Sequence, residues 1–437
     1  MFFVESLHWL RIFGWEAWAA SALFQATFPA VWGVVAHPFL AETRFSVLSV
    51  LFPPLSYTAM EALRNLGSFG MPWGDLAYSQ WKFLPVIQLV SLTGALGLTF
   101  AVVLFNTLIF WGLKTRNWKH FLMGGLCFFS LLLFGLFRHE LPSGVSAKIA
   151  LIQTNDQQML KWDPHHYWLM VQEMDRLIQD AKKEKPELIL FPETALAGFL
   201  SEDAGLQALV IRWARETGST IAVGTLNLKE GKPQNQMVLI KPDGSVGGEY
   251  SKIKLVPFGE YLPYLFRPFR GHWHLLDPIV DYKPGNEFTI FHLNEKAFGS
   301  MICFESSFGW MARALVLRGA EFLTVSTNDA WFFGTPAQEE HAAMAVFRSV
   351  ETGRSCIQAG NTGVSLATDP EGRILAWANP NQAKEIFSII PLTNTLTLYD
   401  RIGDCFPYLT MIASLAILVG RWAMTKRTLP IFGPVQA

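Results

Sequence analysis

The stretch Ser300-Met-Ile-Cys303-Phe-Glu305-Ser-Ser-Phe308 places one cysteine directly after an apolar run and a carboxylate two residues beyond it. This pattern is typical of a nucleophile at the point where a buried strand turns into the next element, because the strand fixes the backbone while the turn exposes the sulfur. Cysteine is also a common core residue, so the stretch alone does not separate a reactive thiol from a packed one.

Three other motifs place polar side chains at the ends of apolar runs. They are Phe191-Pro-Glu193, Tyr250-Ser-Lys252-Ile-Lys254-Leu-Val-Pro-Phe-Gly-Glu260 and Thr327-Asn-Asp-Ala-Trp331. A thiol with the ordinary pKa of about 8.5 is mostly protonated at neutral pH, so a nucleophilic cysteine needs a base or a cationic neighbour. A carboxylate, a lysine and a cysteine in such positions can supply a base, an oxyanion donor and a nucleophile.

In the order Glu, Lys, Cys, these motifs resemble the nitrilase superfamily, and with the flanking sequence they resemble its membrane-bound branch, the apolipoprotein N-acyltransferases. The resemblance extends from about Phe24 to about Leu409. Its specific motifs are Glu61-Ala-Leu-Arg64, Pro72-Trp-Gly-Asp-Leu-Ala-Tyr78-Ser-Gln80, Leu255-Val-Pro-Phe-Gly-Glu260, Asn328-Asp-Ala-Trp331, Asn361-Thr-Gly363 and Tyr399-Asp-Arg401-Ile-Gly-Asp404. It implies a nitrilase-like four-layer αββα sandwich joined to an α-helical transmembrane region.

The resemblance also implies the roles of the polar side chains. Cys303 is the expected nucleophile, Glu193 the base, and Lys252 the oxyanion donor. The family spacing to Glu260 selects Lys252, but Lys254 lies on the same face of a continuing strand, so spacing alone does not exclude it. Glu260 and Glu305 resemble further carboxylates of the family, and one of them is expected to orient Lys252.

Three aromatic positions belong to the implied site. Phe304 stands where the family usually has tyrosine, so its backbone N–H remains an oxyanion donor while any role of the hydroxyl is absent. Trp162 resembles a family tryptophan near the acyl-chain entrance, and a surface aromatic is the alternative interpretation. Trp331 is expected to support substrate binding.

No cofactor and no metal are expected. The adjacent His165 and His166 open a predicted helix without a third ligand at helical spacing, so we interpret them as solvated first-turn residues. The four cysteines show neither metal-site spacing nor a disulfide framework. The formal net charge of -1 gives no reason to expect a nucleic-acid partner.

The composition indicates a membrane portion joined to a soluble portion. Of the 437 residues, 51% are hydrophobic and 16% are charged, whereas soluble domains average about 25% charged residues. Charges are sparse before Arg138 and ordinary between Lys148 and Lys384. The expected division is a transmembrane region at 1–138 with about four crossings, a nitrilase-like domain at 144–400 and a C-terminal transmembrane helix at 406–424.

Five apolar segments predict five membrane crossings, at 17–40, 45–63, 83–113, 121–137 and 406–420. The second segment carries Pro53, Pro54 and Glu61, and the third is longer than a crossing requires, so its surplus predicts a re-entrant or interfacial piece. The alternative interpretation is a set of buried core helices in a soluble protein.

Basic residues predict the orientation of the crossings. Lys114, Arg116 and Lys119 crowd one short loop, and a second cluster, Arg421, Lys426 and Arg427, follows the last apolar segment. Both should be cytoplasmic, which places the domain between them outside, on the periplasmic side of a bacterial inner membrane. Family members usually carry about three further N-terminal helices, so we expect a natural short form or a start at an internal methionine.

The sequence of the soluble domain alternates predicted strands with predicted helices. Hairpin turns are expected at Pro242-Asp-Gly244 and at Asp369-Pro-Glu-Gly372. This order predicts an α/β layered sandwich with mixed sheets.

The implied function is the transfer of an acyl chain from a membrane phospholipid, through a thioester on Cys303, to the N-terminal diacylglyceryl-cysteine amine of apolipoproteins. The first alternative is a membrane-tethered amidase of the nitrilase type, which would pass the acyl group to water. The second is a catalytically inactive lipid-binding scaffold, against which the intact Glu193, Lys252 and Cys303 argue.

Overall fold

The computed structural model describes residues 1–139, 143–161, 163–274 and 276–428. Helices form its N-terminal region. The α-helices there are α1 (Phe2–Ser6), α2 (Trp15–Leu40), α3 (Val47–Arg64), α4 (Leu84–Ile87), α5 (Val90–Thr93), α6 (Ala95–Thr115) and α7 (Trp118–Phe137), and 3-10 turns span His8–Phe13 and Leu76–Gln80.

Four described helices are long and apolar enough to cross a membrane, where the sequence predicted five crossings. They are Trp15–Leu40, Ala95–Thr115, Trp118–Phe137 and Cys405–Met424. The difference is α3, which packs against α2 and α6 and buries the polar side chains of Glu61 and Arg64. The long third segment contains the two short helices α4 and α5 before α6 begins, so the surplus length lies outside the apolar helix.

A two-residue turn, Arg116 and Asn117, joins α6 to α7. Of the charges predicted to be cytoplasmic, Arg116 lies in this turn, Lys114 near the end of α6 and Lys119 near the start of α7. Arg116 ends α6 in the left-handed conformation, with φ of 50°. The Asn117 side chain then caps α7 by accepting a hydrogen bond from the Lys119 N–H. Because so short a connection returns the chain directly, α6 and α7 pack as an antiparallel hairpin.

Two six-stranded sheets follow. Their strands are β1 (Ser146–Gln153), β2 (Leu188–Leu190), β3 (Thr220–Lys229), β4 (Lys232–Ile240), β5 (Val246–Ser251), β6 (Ile290–Leu293), β7 (Lys296–Ile302), β8 (Phe322–Thr327), β9 (Ser355–Gly360), β10 (Ser365–Thr368), β11 (Ile374–Ala378) and β12 (Lys384–Pro391). One sheet has the order β12-β1-β2-β3-β4-β5 and the other the order β11-β10-β9-β8-β7-β6. Each sheet contains three parallel strands and antiparallel edges, as expected for mixed sheets.

Helices cover the outer faces of both sheets. The first sheet carries α8 (Pro164–Lys183) and α9 (Ala204–Thr217), and the second carries α10 (Gly309–Val316) and α11 (Ala337–Thr352). Between the sheets lies an apolar core that includes the stacked rings of Phe291, Phe298 and Phe322. The αββα sandwich predicted from the sequence is therefore confirmed. The chain ends with α12 (Leu398–Ile402) and α13 (Cys405–Thr428).

The loop between α3 and α4 packs onto the sandwich domain. Trp73 Nε1 donates to Glu340 Oε2 at 2.6 Å, and the Tyr78 hydroxyl donates to the Ser307 carbonyl at 3.2 Å. Arg64, the last residue of α3, fixes the loop to that helix. Its guanidinium donates to the Met71 and Trp73 carbonyls and pairs with Asp75. The helical region and the sandwich thus meet directly behind the turn that carries Cys303.

Candidate active site

Cys303 lies at the end of β7, where the strand turns into a 3-10 segment that spans Cys303–Ser307. Its φ of 53° falls in the left-handed region, which costs a residue other than glycine about 1–3 kcal/mol and persists only where the surroundings enforce it. β7, β8 and β9 run parallel and end at the same edge of the sheet. The strand-to-turn position predicted for the cysteine matches this backbone.

Glu193 follows β2 and points into the space between the two sheets. Its Oε1 accepts hydrogen bonds from Asn235 Nδ2 at 2.7 Å and from Lys252 Nζ at 3.0 Å. Its Oε2 accepts from the Asn328 N–H at 3.0 Å, and the carboxylate interacts electrostatically with the Cys303 thiol. Burial alone would raise the pKa of Glu193, but the Lys252 charge and these donors outweigh it and lower the pKa.

Lys252 is 1% exposed and lies between two carboxylates. Its Nζ is 3.0 Å from Glu193 Oε1 and 2.8 Å from Glu260 Oε1. Burial opposes the charged form, but the two carboxylates outweigh it and raise the pKa of Lys252 well above its ordinary value. Of the two family carboxylates, Glu260 is therefore the one that contacts the lysine.

Lys254 points away from this cluster. Its Nζ donates to the Gly67 carbonyl at 2.8 Å and lies 5.2 Å from the centroid of the Phe308 ring. The two lysines diverge because β5 ends at Ser251, so the period of two that would place them on one face no longer applies.

The Glu305 carboxylate forms hydrogen bonds both to the backbone beside Cys303 and to the segment that follows Lys252. Its carboxylate accepts from the backbone N–H groups of Ile302, Ile253 and Lys254 at 2.7–3.0 Å and from the Tyr250 hydroxyl at 2.9 Å. Burial raises the pKa of Glu305 to about 7, although these donors oppose that shift. Glu305 therefore fixes the relative positions of these two segments. Of the two carboxylates expected to orient Lys252, it is Glu260 and not Glu305 that bonds to the lysine.

Two of the three aromatic positions of the predicted site belong to the described residues. The Phe304 side chain is buried edge-on against Phe308, with ring centroids 5.0 Å apart. Trp331 belongs to the 3-10 segment Asp329–Phe332 and stacks on Phe13 at 5.4 Å. Trp162 lies outside the described residues.

Two polar side chains of this site were missed in the sequence. Asn235 Nδ2 donates to Glu193 Oε1 and, at 3.2 Å, to Glu260 Oε1, so it links both carboxylates. The fully buried Lys161 donates from Nζ to Thr194 Oγ1 at 2.9 Å. Asn235 lies in the polar run Gln234-Asn-Gln236 within a strand, and such a run inside a buried strand is the signal that would have identified it.

A second group of side chains missed in the sequence lies beside the backbone of Cys303. Cys303, Asp329 and His341 each bring one possible ligand atom within 4.8 Å of the others. The His341 ring already bonds through both nitrogens, with Nδ1 2.8 Å from Asp329 Oδ1 and Nε2 3.2 Å from the Cys303 carbonyl oxygen. A metal ion would have to displace these bonds, so the arrangement fits a hydrogen-bonded pair better than a metal centre.

The Cys303 thiol rests in its neutral form. Burial raises its pKa well above the ordinary value, and the neighbouring Glu193 carboxylate adds to the shift, while Lys252 opposes it. A thiol in this state would need proton transfer to a base in order to react, and the ionised Glu193 carboxylate is the neighbouring group whose charge acts on it.

Comparisons with known proteins agree with both parts of the chain. The family model "Carbon-nitrogen hydrolase" matches residues 148–394, and the model "Apolipoprotein N-acyltransferase N-terminal domain" matches residues 1–108. The apolipoprotein N-acyltransferase of Geobacter metallireducens is 31% identical over 428 residues, which cover 92% of this chain and 81% of the relative. The Thermotoga maritima protein of the same name is 33% identical over 381 residues, 86% of this chain and 72% of the relative.

Among solved structures, Saccharomyces cerevisiae Nit3, a member of branch 10 of the nitrilase superfamily, is 17% identical with a TM-score of 0.45, covering 56% of this chain and 90% of Nit3. The matched family model and the two-sheet sandwich define a carbon-nitrogen hydrolase domain. With the N-terminal match and the relatives above, the chain belongs to the apolipoprotein N-acyltransferase family. It is therefore an acyltransferase, and its apolar helices identify a membrane protein.

Proposed function

We propose that this acyltransferase moves an acyl chain from a membrane phospholipid to the α-amine of an N-terminal diacylglyceryl-cysteine on an apolipoprotein. The observation that carries the proposal is the buried cluster in which Glu193 bonds to Lys252 and interacts electrostatically with the Cys303 thiol. The names of the relatives supply the acceptor, and the membrane helices explain how one chain reaches two lipid substrates that cannot leave the bilayer without a large hydrophobic cost.

In the first step Cys303 takes the acyl chain. Sγ attacks the carbonyl carbon of a phospholipid ester while its proton passes to Glu193. When the tetrahedral intermediate collapses, the C–O bond breaks, the leaving lysophospholipid oxygen receives the proton, and the acyl group remains as a thioester on Cys303.

In the second step the lipoprotein amine takes the acyl chain from the enzyme. The neutral α-amine attacks the thioester carbon, Glu193 accepts the proton that the nitrogen loses, and the C–S bond breaks. The proton returns to sulfur, so the products are an amide and the free Cys303 thiol. Glu193 therefore alternates between base and acid in both steps.

Lys252 is suited to stabilise the oxyanion of both intermediates. An ammonium group has three N–H bonds, and two of them point at Glu193 and Glu260. The third is left for a substrate oxygen, and Glu260 keeps the lysine charged and in place. The backbone N–H of Phe304 is the proposed second oxyanion donor. Trp331 and Trp162 are the proposed aromatic contacts with the substrate.

The proposed division follows the predicted one, with membrane helices in 1–138, the catalytic domain in 144–400 and a final membrane helix in 406–424. The proposed location is a bacterial inner membrane with the catalytic domain on the periplasmic side. The two-residue α6–α7 turn supports this orientation, because it presents Lys114, Arg116 and Lys119 at one end of the hairpin.

The test of function is an acyl-transfer assay with two acceptors. Purified protein in phospholipid vesicles receives a diacylglyceryl lipopeptide with a free α-amine, or the same lipopeptide with an acetylated amine. We expect equal amounts of N-acylated lipopeptide and lysophospholipid with the free amine, and no transfer to the blocked one. Continuous release of free fatty acid with either peptide would favour the amidase, and no product with either would favour the inactive scaffold.

The orientation of the domain can be tested by labelling intact cells. In a background without the exposed Cys127 and Cys405, a single exposed cysteine is introduced as Asp243→Cys in the β4–β5 hairpin or as Lys119→Cys at the start of α7. We expect an outer-membrane-permeant but inner-membrane-impermeant thiol reagent to label the first variant in intact cells and the second only after lysis. The opposite pattern would reverse the proposed topology.

A further inference from the structure

His341 is a fully buried histidine behind the backbone of the turn that carries Cys303. It lies on α11, and its Nε2 is 2.9 Å from Ser306 Oγ and 3.2 Å from the Cys303 carbonyl oxygen. Ser306 Oγ in turn donates to the same Cys303 carbonyl at 2.9 Å. The carbonyl of the proposed nucleophile is therefore held by two neighbouring donors.

The partners of His341 determine its protonation. The Cys303 carbonyl oxygen can only accept a hydrogen bond, so Nε2, which lies 3.2 Å from it, acts as a donor. On the other side of the ring, Asp329 Oδ1 lies 2.8 Å from Nδ1 and already accepts from Thr327 Oγ1 at 2.6 Å. Both ring nitrogens face acceptors, which requires a proton on each. Burial opposes this charge, but Asp329 outweighs it and raises the pKa of His341.

Asp329 is itself held in one position by its surroundings. Its side chain is fully buried, and a Cβ added at Gly363 would lie 2.0 Å from Asp329 Oδ2. The absence of a side chain at Gly363 thus leaves room for the carboxylate. Two motifs that the catalytic steps above leave without a role, the Asp of Asn328-Asp-Ala-Trp331 and the Gly of Asn361-Thr-Gly363, meet here behind the nucleophile.

We propose that His341, held by Asp329, is a positioning residue that fixes the strained turn at Cys303 and so directs Sγ toward Glu193 and the acyl carbon. The inference rests on the proposed function, because it takes Cys303 as the nucleophile. Beside Ser306 Oγ, the imidazolium is a second fixed donor to the carbonyl of Cys303, a non-glycine residue whose φ of 53° must be enforced by its surroundings. Its ring packs against Trp73 and Phe332, with centroids 5.6 and 6.0 Å away, and these contacts keep the charge out of water.

The test compares substitutions of His341 that keep or remove the donor. His341→Leu keeps a bulky apolar side chain without a donor, and His341→Gln offers an amide N–H near the position of Nε2. The measured quantities are the single-turnover rate of thioester formation from phospholipid and the KM for phospholipid. Loss of a charged hydrogen bond to a buried carbonyl should slow acylation of His341→Leu by about 10- to 100-fold with little change in KM, and His341→Gln should recover part of that loss.

Two further variants keep the test decisive. Ser349→Ala removes a buried hydrogen bond from the same helix to Thr368, away from the nucleophile turn, and should acylate at the rate of the unaltered protein. Asp329→Asn keeps the size of the side chain and should slow acylation by a factor similar to that of His341→Leu, so it serves if the leucine variant does not fold.

Each outcome has a separate meaning. Unaltered acylation rates in His341→Leu or Asp329→Asn, together with no adduct in Cys303→Ala, would overturn the positioning role and leave the proposed function standing. Equal losses in His341→Leu and Ser349→Ala, without recovery in His341→Gln, would also overturn it, since they would indicate only a loss of packing. An adduct in Cys303→Ala would overturn the proposed function itself.

Discussion

Cys303→Ala is expected to abolish formation of the acyl-enzyme completely. When the unaltered protein receives phospholipid alone, it should stop at the thioester, because the amine acceptor is absent and the site must exclude water for transfer to prevail over hydrolysis. Intact-protein mass spectrometry should then show one added acyl chain that hydroxylamine removes. The adduct should disappear when a lipopeptide with a free α-amine is added.

The other three cysteines provide matched controls. Cys127 and Cys405 are exposed, and Cys356 is buried on β9, where burial raises its thiol pKa to about 12. The described surroundings of Cys303 include the Glu193 carboxylate, which interacts with the thiol and is the proposed base for its proton. The adduct should therefore persist in Cys127→Ala, Cys356→Ala and Cys405→Ala. An acyl chain found on any of these three cysteines would refute the assignment of the nucleophile.

Lys252→Ala should cost far more activity than Lys254→Ala in one acylation assay. Removal of an oxyanion donor typically lowers the rate by about 10²–10³. Lys252→Ala also removes the cation between Glu193 and Glu260, so burial and mutual repulsion would raise the pKa of Glu193 and protonate the base. Among the described residues Lys254 donates to the Gly67 carbonyl and contacts the Phe308 ring, outside the site cluster, so its loss should change the rate less than about threefold.

The pH dependence separates the two consequences of losing Lys252. A base whose pKa has risen becomes ionised again as the pH increases, so part of the lost rate in Lys252→Ala should return at higher pH. The part that does not return measures the missing oxyanion donor. Equal losses in Lys252→Ala and Lys254→Ala would mean that the lysine carried over from the family register is the wrong one.

Local sequence patterns predicted the fold well because they depend on neighbours in the chain. The apolar run before Cys303 identified β7 and its turn, and alternating strands and helices identified the mixed-sheet sandwich. Four of the five predicted crossings correspond to described helices that are long and apolar enough to span a membrane, whereas the fifth, α3, packs largely against its neighbours. Length and hydropathy do not show which helix another helix will cover.

The sequence identified the site residues that belong to recognisable motifs, but not how those residues contact one another. Spacing could not separate Lys252 from Lys254, since the decision depends on where β5 ends. Nor could it show that Glu305 bonds to the backbone of Ile253 and Lys254, about fifty positions earlier in the chain. His341 and Asn235 were missed for the same reason, because their roles come from contacts between distant elements.

The joint between the helical region and the sandwich has a consequence for dissection of the protein. Arg348 and Glu351 form a buried ion pair on α11, and groups from the N-terminal region complete it, namely the Tyr78 hydroxyl and the Ala95 N–H. A truncated chain that begins after α7 would lose both partners. A hydrogen bond to a charged group typically contributes about 1.5–3 kcal/mol, so losing both would remove a large part of the 5–15 kcal/mol that typically stabilises a domain. We therefore expect the sandwich domain to be markedly less stable when it is produced without the helical region that precedes it.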